Sequence, residues 1–124
     1  MKVLLVDDEV EFVSTLAERL LIRGIKADDV ICGKDAISKV QQESYDVVVL
    51  DLRMGGLDGF QTMKQIQKIK PETKFIILSG HCSDEEYDKM VSAGASDFLV
   101  KPIDIEVLIE KIGHVGNIRN EEIE

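Results

Sequence analysis

An α/β domain built on a doubly wound, five-stranded parallel sheet is the architecture this sequence predicts, and three observations lead to it. Residues 3–6, 47–50 and 75–78 are continuous apolar runs, the pattern of strands buried on both faces, not of strands with one wet side. Between these runs lie stretches in which apolar residues recur at helical spacing. The 124 residues, 44% apolar and 31% charged, suit one globular domain with a full core. Strands alternating with helices specify a parallel sheet covered on both sides, for which the simplest strand order at this length is 2-1-3-4-5 with five helices.

Taken in order, the first strand covers residues 2–6 and stops at the acidic pair Asp7-Asp8. Val10, Val13, Ala17, Leu20 and Leu21 then mark the apolar face of a helix over residues 10–23. Asp8 and Glu11 have the spacing of a capping box, and Gly24 that of a terminator. Residues 25–30 form a second strand; Asp28-Asp29 interrupt it and put it at a sheet edge. Residues 33–42 form a helix on Ala36, Ile37 and Val40, and residues 46–51 the central strand. Asp58 and Gln61 open a third helix, with Phe60, Met63, Ile66 and Ile69 on one face, which Lys70-Pro71 ends. Residues 74–79 are the fourth strand. Ser83 and Glu86 cap a fourth helix carrying Tyr87, Met90 and Val91, with Gly94 after it. Residues 97–100 are the fifth strand, cut off by Lys101-Pro102, and a last helix on Ile105, Leu108, Ile112 and Val115 begins near Asp104. The domain is expected over residues 1–118, with 119–124 a polar tail or the start of a linker.

Fifteen basic against twenty-four acidic residues leave a net charge of −9. With no surplus of cations to neutralise phosphates, nucleic acid is not the expected ligand of this domain; a divalent cation or a basic partner is. No apolar run approaches the length of a membrane span, and the amino-terminal run ends in two acids, unlike a signal peptide. Cys32 and Cys82 lack metal-ligand spacing, so two free thiols in a reducing cytoplasm are expected, a disulfide between them being left open.

The chemistry collects at the carboxyl ends of the strands. The first strand ends in Asp7 and Asp8, the third in Asp51, the fourth in Ser79 and the fifth in Lys101. In the order 2-1-3-4-5 the first and third strands are neighbours at the topological switch point, where ligands bind. Neighbouring strands lie roughly 4.8 Å apart, which brings Asp8 and Asp51 within bridging distance of one ion. Clustered carboxylates call for a cation, and hard oxygen donors suit Mg²⁺; zinc would want histidine or thiolate, and His81 and His114 are not placed to supply it. A metal-bound carboxylate flanked by a hydroxyl and an ammonium resembles a cradle for a phosphoryl group.

Asp7-Asp8, Asp51 within Asp-Leu-Arg-Met-x-Gly-Leu-Asp-Gly, Ser79, and Lys101-Pro102 fall at consecutive strand ends. Over essentially its whole length the chain resembles a two-component response-regulator receiver domain, a flavodoxin-like fold of the chemotaxis-regulator type. The resemblance implies that Asp51 is the phosphoacceptor, taking its phosphoryl group from a histidine kinase or a phosphotransfer protein. It implies Mg²⁺ held by Asp8, Asp51 and the backbone carbonyl of Arg53, with Asp7 acting mainly through water. Lys101 would pair with the phosphoryl oxygens, Ser79 and Gly80 would border them, and Phe98 matches the family's switch aromatic. Similar domains have a cis bond before the residue matching Pro102. Arg53 and His81 occupy positions that tune phosphoryl lifetime. The face of the fourth helix, fifth strand and fifth helix would signal to a downstream partner or effector domain and could form a homodimer.

One departure is Gly55, where the family commonly has proline; with Gly56 it should loosen the loop after Asp51. Blander roles stand beside several residues: Asp8 as an N-cap as well as a ligand, Ser79 as a partner for a backbone group, Phe98 as core. Competing functions are an aspartyl-phosphate phosphohydrolase, a flavin carrier and a docking module that is never phosphorylated. The first needs an acid where Arg53 stands, the second a turn free of Asp7-Asp8-Glu9, and the complete acid, serine and lysine set speaks against the third.

Overall fold

In the computed structural model, residues 1–123 are described, with side chains through Gly116. The polar stretch 119–124 expected as a tail or linker therefore lies outside the described side chains. The elements run β1 (Lys2–Val6), α1 (Val10–Ile22), β2 (Lys26–Val30), α2 (Gly33–Gln42), β3 (Val47–Asp51), α3 (Gly59–Ile69), β4 (Lys74–Ser79), α4 (Asp84–Ser92), β5 (Asp97–Val100) and α5 (Ile105–Ile123). The five strands form one parallel sheet in the order β2-β1-β3-β4-β5, with the Asp28-Asp29 strand at the edge as its charges require. All five residues of β3 are buried.

The sheet separates two apolar layers. On one side Val13, Leu16 and Leu20 of α1 and Leu108, Ile109, Ile112 and Val115 of α5 pack on Val3, Leu5, Val47, Val49, Ile76 and Leu78. On the other, Ala36, Val40, Met63, Ile66 and Met90 cover Leu4, Val6, Val48, Leu50, Phe75 and Ile77. Odd-numbered residues of β1 and β3 face α1 and α5, so Asp7 and Asp51, which continue that parity past Leu5 and Val49, belong to that side.

The helix faces differ from the periodic reading in two places. In α1 the buried residues are Val13, Leu16 and Leu20; Val10 and Leu21 are 56% and 66% exposed. In α4 only Met90 is buried, while Tyr87 and Val91 remain on the surface. The apolar stripe was wider than the sheet beneath it, and the sheet chose which part to cover. The Asp8–Glu11 capping box does not form either. The N-cap of α1 is Glu9, with no side-chain cap, and the Glu9 N–H donates to the Asp7 carboxylate at 2.9 Å. The other two boxes form with both reciprocal hydrogen bonds, Asp58 with Gln61 and Ser83 with Glu86. Helix α1 closes in a Schellman motif, Gly24 at φ +79° donating to Leu21 O and Ile25 to Leu20 O.

Candidate functional site

Strand register assembles the site before any side chain is considered. Val6 of β1 lies opposite Leu50 of β3, so the next residues, Asp7 and Asp51, leave the sheet side by side. Ser79 pairs with Val100 across β4 and β5, which puts Lys101 one step beyond, its N–H donating to Ser79 O at 2.7 Å. The Lys101–Pro102 peptide is cis.

Asp7, Asp8 and Asp51 each offer a carboxylate oxygen, all within 4.8 Å of one another. Asp7 and Asp51 are 1% and 5% exposed, while Asp8 is open to solvent. Lys101 Nζ reaches into the group, 2.8 Å from Asp7 Oδ2, 2.8 Å from Glu9 Oε1 and 3.8 Å from Asp51 Oδ2. It lies 5.4 Å from the centre of the Phe12 ring, so the side chain crosses from β5 to α1 over an aromatic face.

One lysine does not balance three acids. Burial pushes the Asp51 carboxyl up to about 6, and the charge of Asp7 adds to the rise; Lys101 and the Arg53 N–H, 3.4 Å from Asp51 Oδ1, pull the other way. Burial by itself would lower the Lys101 ammonium, but hydrogen bonds to Asp7 and Glu9 and the charge of Asp51 outweigh it and hold the group above its ordinary value. A carboxylate raised by burial, and further by a neighbouring acid, is one that a cation would relieve. Three convergent hard oxygens, with no sulfur or imidazole among them, fit Mg²⁺ in kind.

The other residues named from the sequence lie on β4, on β5 and in the loops that follow β3 and β4. Ser79 is fully buried, and its hydroxyl donates to His81 O at 2.6 Å while accepting the His81 N–H at 3.2 Å. In this state it serves the backbone of its own loop. His81 and Gly80 are exposed. Phe98 is half-buried, edge-on to Tyr87 with ring centres 5.4 Å apart. Arg53 is turned from Asp51 toward α4, donating to both oxygens of Glu86 at 2.7 and 2.9 Å. In the loop, Gly56 takes φ +75°, which glycine favours; Gly55 has no such requirement and stands in open space.

Three contributors escaped the sequence reading. Glu9 shares Lys101 with Asp7, and the run Asp7-Asp8-Glu9 was the available signal. Glu86 was read only as a cap. Gly59 lets α3 start directly against the end of β3, since a Cβ there would sit 2.5 Å from Asp51 O and 2.7 Å from Leu52 Cα.

The fold is a doubly wound parallel sheet whose switch point gathers three acids and a lysine. The family model of the response regulator receiver domain matches residues 3–113, and the chain belongs to that family. Hybrid signal transduction histidine kinase L of Dictyostelium discoideum is 35% identical over 127 residues, an alignment covering 94% of this chain and 7% of the relative. Transcriptional regulatory protein ZraR of Salmonella typhimurium is 33% identical over 110 residues, covering 89% of this chain and 25% of the relative. The chain thus spans a quarter or less of the length of these relatives. The receiver domain of Francisella response regulator 1452 superposes with a TM-score of 0.88 at 30% identity, over 95% of this chain and 98% of that one. Among the described residues no helix is long and apolar enough to cross a membrane.

Proposed function

We propose that Asp51 is the phosphoacceptor. One carboxylate oxygen of Asp51 attacks phosphorus in line, the P–N bond of a phosphohistidine donor breaks, and its electron pair stays on the leaving imidazole, which is protonated. The observation that carries this reading is an aspartate only 5% exposed at the tip of a fully buried strand, beside two acids and a lysine. Asp7, Asp8, Asp51 and the carbonyl of Arg53 would hold Mg²⁺, which when bound neutralises charge on the transferring phosphoryl oxygens. Lys101 binds those oxygens from the β5 side, and burial of Asp7 keeps that lysine aimed inward. Ser79 exchanges its bond to His81 O for one to the phosphoryl group, Gly80 leaves room beside it, and Phe98 follows the loop. The domain carries out its own phosphorylation and slow dephosphorylation and turns over no other substrate. Its donor is a histidine kinase or phosphotransfer protein in the cytoplasm. The α4, β5 and α5 face signals to an effector domain or a partner, or pairs with a second copy. A phosphohydrolase would need a proton donor at Arg53, whose guanidinium is instead occupied by Glu86.

Incubation with Mg²⁺ and acetyl phosphate tests the reading. Wild type takes one base-labile phosphoryl group, and Asp51→Asn takes none. Labelling that survives in Asp51→Asn, or that ignores chelation of Mg²⁺, would falsify the assignment.

A further inference from the structure

Helix α4 buries one residue, Met90, against the sheet, and its remaining ties to the acceptor loop and α3 include cationic contacts. Arg53, two residues past Asp51, binds both oxygens of Glu86 in the first turn of α4. One turn on, Lys89 lies 4.1 Å from the centre of the Phe60 ring of α3. These four residues line one small cleft with Leu52 and Met90. Glu86 also closes the cap of its own helix: its Oε1 lies 3.4 Å from the Ser83 N–H and 3.3 Å from the Ser83 hydroxyl, which in turn accepts the Glu86 N–H at 3.1 Å. A single carboxylate therefore both starts α4 and holds the arginine that follows the acceptor.

We propose that Glu86 is a positioning residue for the acceptor site: it keeps Arg53 turned toward α4, and a phosphoryl group on Asp51 draws Arg53 away from it. The inference rests on the reading of Asp51 as acceptor. The Arg53 backbone N–H is 3.4 Å from Asp51 Oδ1, so its side chain is rooted beside the place where the new group forms. That group brings roughly −1.5 to −2 charges and three acceptor oxygens, and guanidinium binds phosphate at least as well as carboxylate. The existing pair is easily exchanged, since the Arg53 and Glu86 side chains are 61% and 35% exposed. Loss of Arg53 removes a tether from a helix with little buried surface, so phosphorylation loosens the first turn of α4. The coupling is reciprocal: whatever engages Glu86 from outside strengthens the hold of the site on its phosphoryl group.

The test uses beryllofluoride with Mg²⁺ as a phosphoryl analogue, its affinity followed by amide NMR shifts. Glu86→Gln removes the charge and retains the Ser-x-x-Gln form of the cap, so α4 stays folded. It is expected to bind the analogue roughly two- to fivefold tighter than wild type, the range an exposed ion pair supports. In an Arg53→Gln background the same change at Glu86 has no effect. Amide exchange at residues 84–87 quickens on binding in wild type and not in Arg53→Gln. Unchanged affinity in Glu86→Gln, or an equal gain when Arg53 is already gone, overturns the proposal. Failure of wild type to bind the analogue at all overturns the acceptor reading and this inference with it; binding that is indifferent to Glu86 overturns this inference only.

Discussion

Lys101 at the carboxyl end of the sheet and Lys2 at its amino end each gather carboxylates, and the two gatherings respond in opposite ways. At the amino end the Lys2 ammonium pairs with Glu43, the Lys2 N–H donates to Asp46 Oδ2 at 2.7 Å, and the Tyr45 hydroxyl shares its one hydrogen between Asp28 Oδ2 at 2.6 Å and Glu43 Oε2 at 3.1 Å. Donation from Lys2 and then from Tyr45 holds the Glu43 carboxyl below its usual range. At the carboxyl end burial and Asp7 push Asp51 above its range, to about 6. The acids at the amino end are half-buried or exposed, each within reach of donors; Asp7 and Asp51 are enclosed and outnumber their lysine. A polar cluster that lowers a carboxylate, as at Glu43, is complete as it stands. One that raises a carboxylate stores a demand for a cation, and a binding site is what can use that demand.

The largest expected contrast is between the two lysines. Lys101→Met should slow phosphorylation by acetyl phosphate by roughly 100-fold, the scale of losing one donor to a developing charge. Lys2→Met, with similar loss of charge, should leave the rate unchanged, and equal rates in the two variants would erase the distinction.

Next comes the pH dependence of stability without metal. The folded pKa of Asp51 is raised from 3.8 to about 6, so the folded state binds the proton more tightly than the unfolded state. Its contribution is fully present below 3.8 and is lost as pH rises through about 6, roughly 3 kcal/mol in all. Asp51→Asn should abolish this loss and raise the melting temperature near pH 7. Mg²⁺ should recover a comparable amount for wild type and little for the variant, as denaturation scans with and without chelator would reveal. Glu43 has the opposite sign: its contribution is present above the ordinary carboxylate range and declines as pH falls through its lowered value, so Glu43→Gln should flatten the acid limb of the curve.

Gly59→Ala tests the backbone that carries the acceptor. A methyl group pressed on Asp51 O and Leu52 Cα should destabilise the fold by roughly 1–3 kcal/mol and lower the phosphorylation rate, because the clash falls on the acceptor loop itself. The smallest change is Tyr45→Phe, expected to reduce stability by about 1 kcal/mol in chemical denaturation while phosphorylation proceeds at the wild-type rate.

By itself the sequence determined the strands, their order and which residues stand at the strand ends. Buried parallel strands must be continuously apolar, and a doubly wound sheet places their carboxyl ends on one edge, so Asp7, Asp51, Ser79 and Lys101 could be put at that edge from a linear text. Tertiary structure decided what periodicity leaves degenerate. Leu16 and not Leu21 faces the sheet in α1, and Tyr87 and Val91 stay outside, because the width of the surface beneath a helix is a property of its neighbours. Helix α1 starts at Val10 as its spacing indicates, but Asp7 accepts the Glu9 N–H and no Asp8–Glu11 box forms, a choice between neighbouring side chains that spacing alone cannot rank. The pairing of Arg53 with Glu86, 33 residues apart, likewise follows from where α4 docks. Local rules act over a few residues; charges and steric contacts across the fold act wherever folding brings them together.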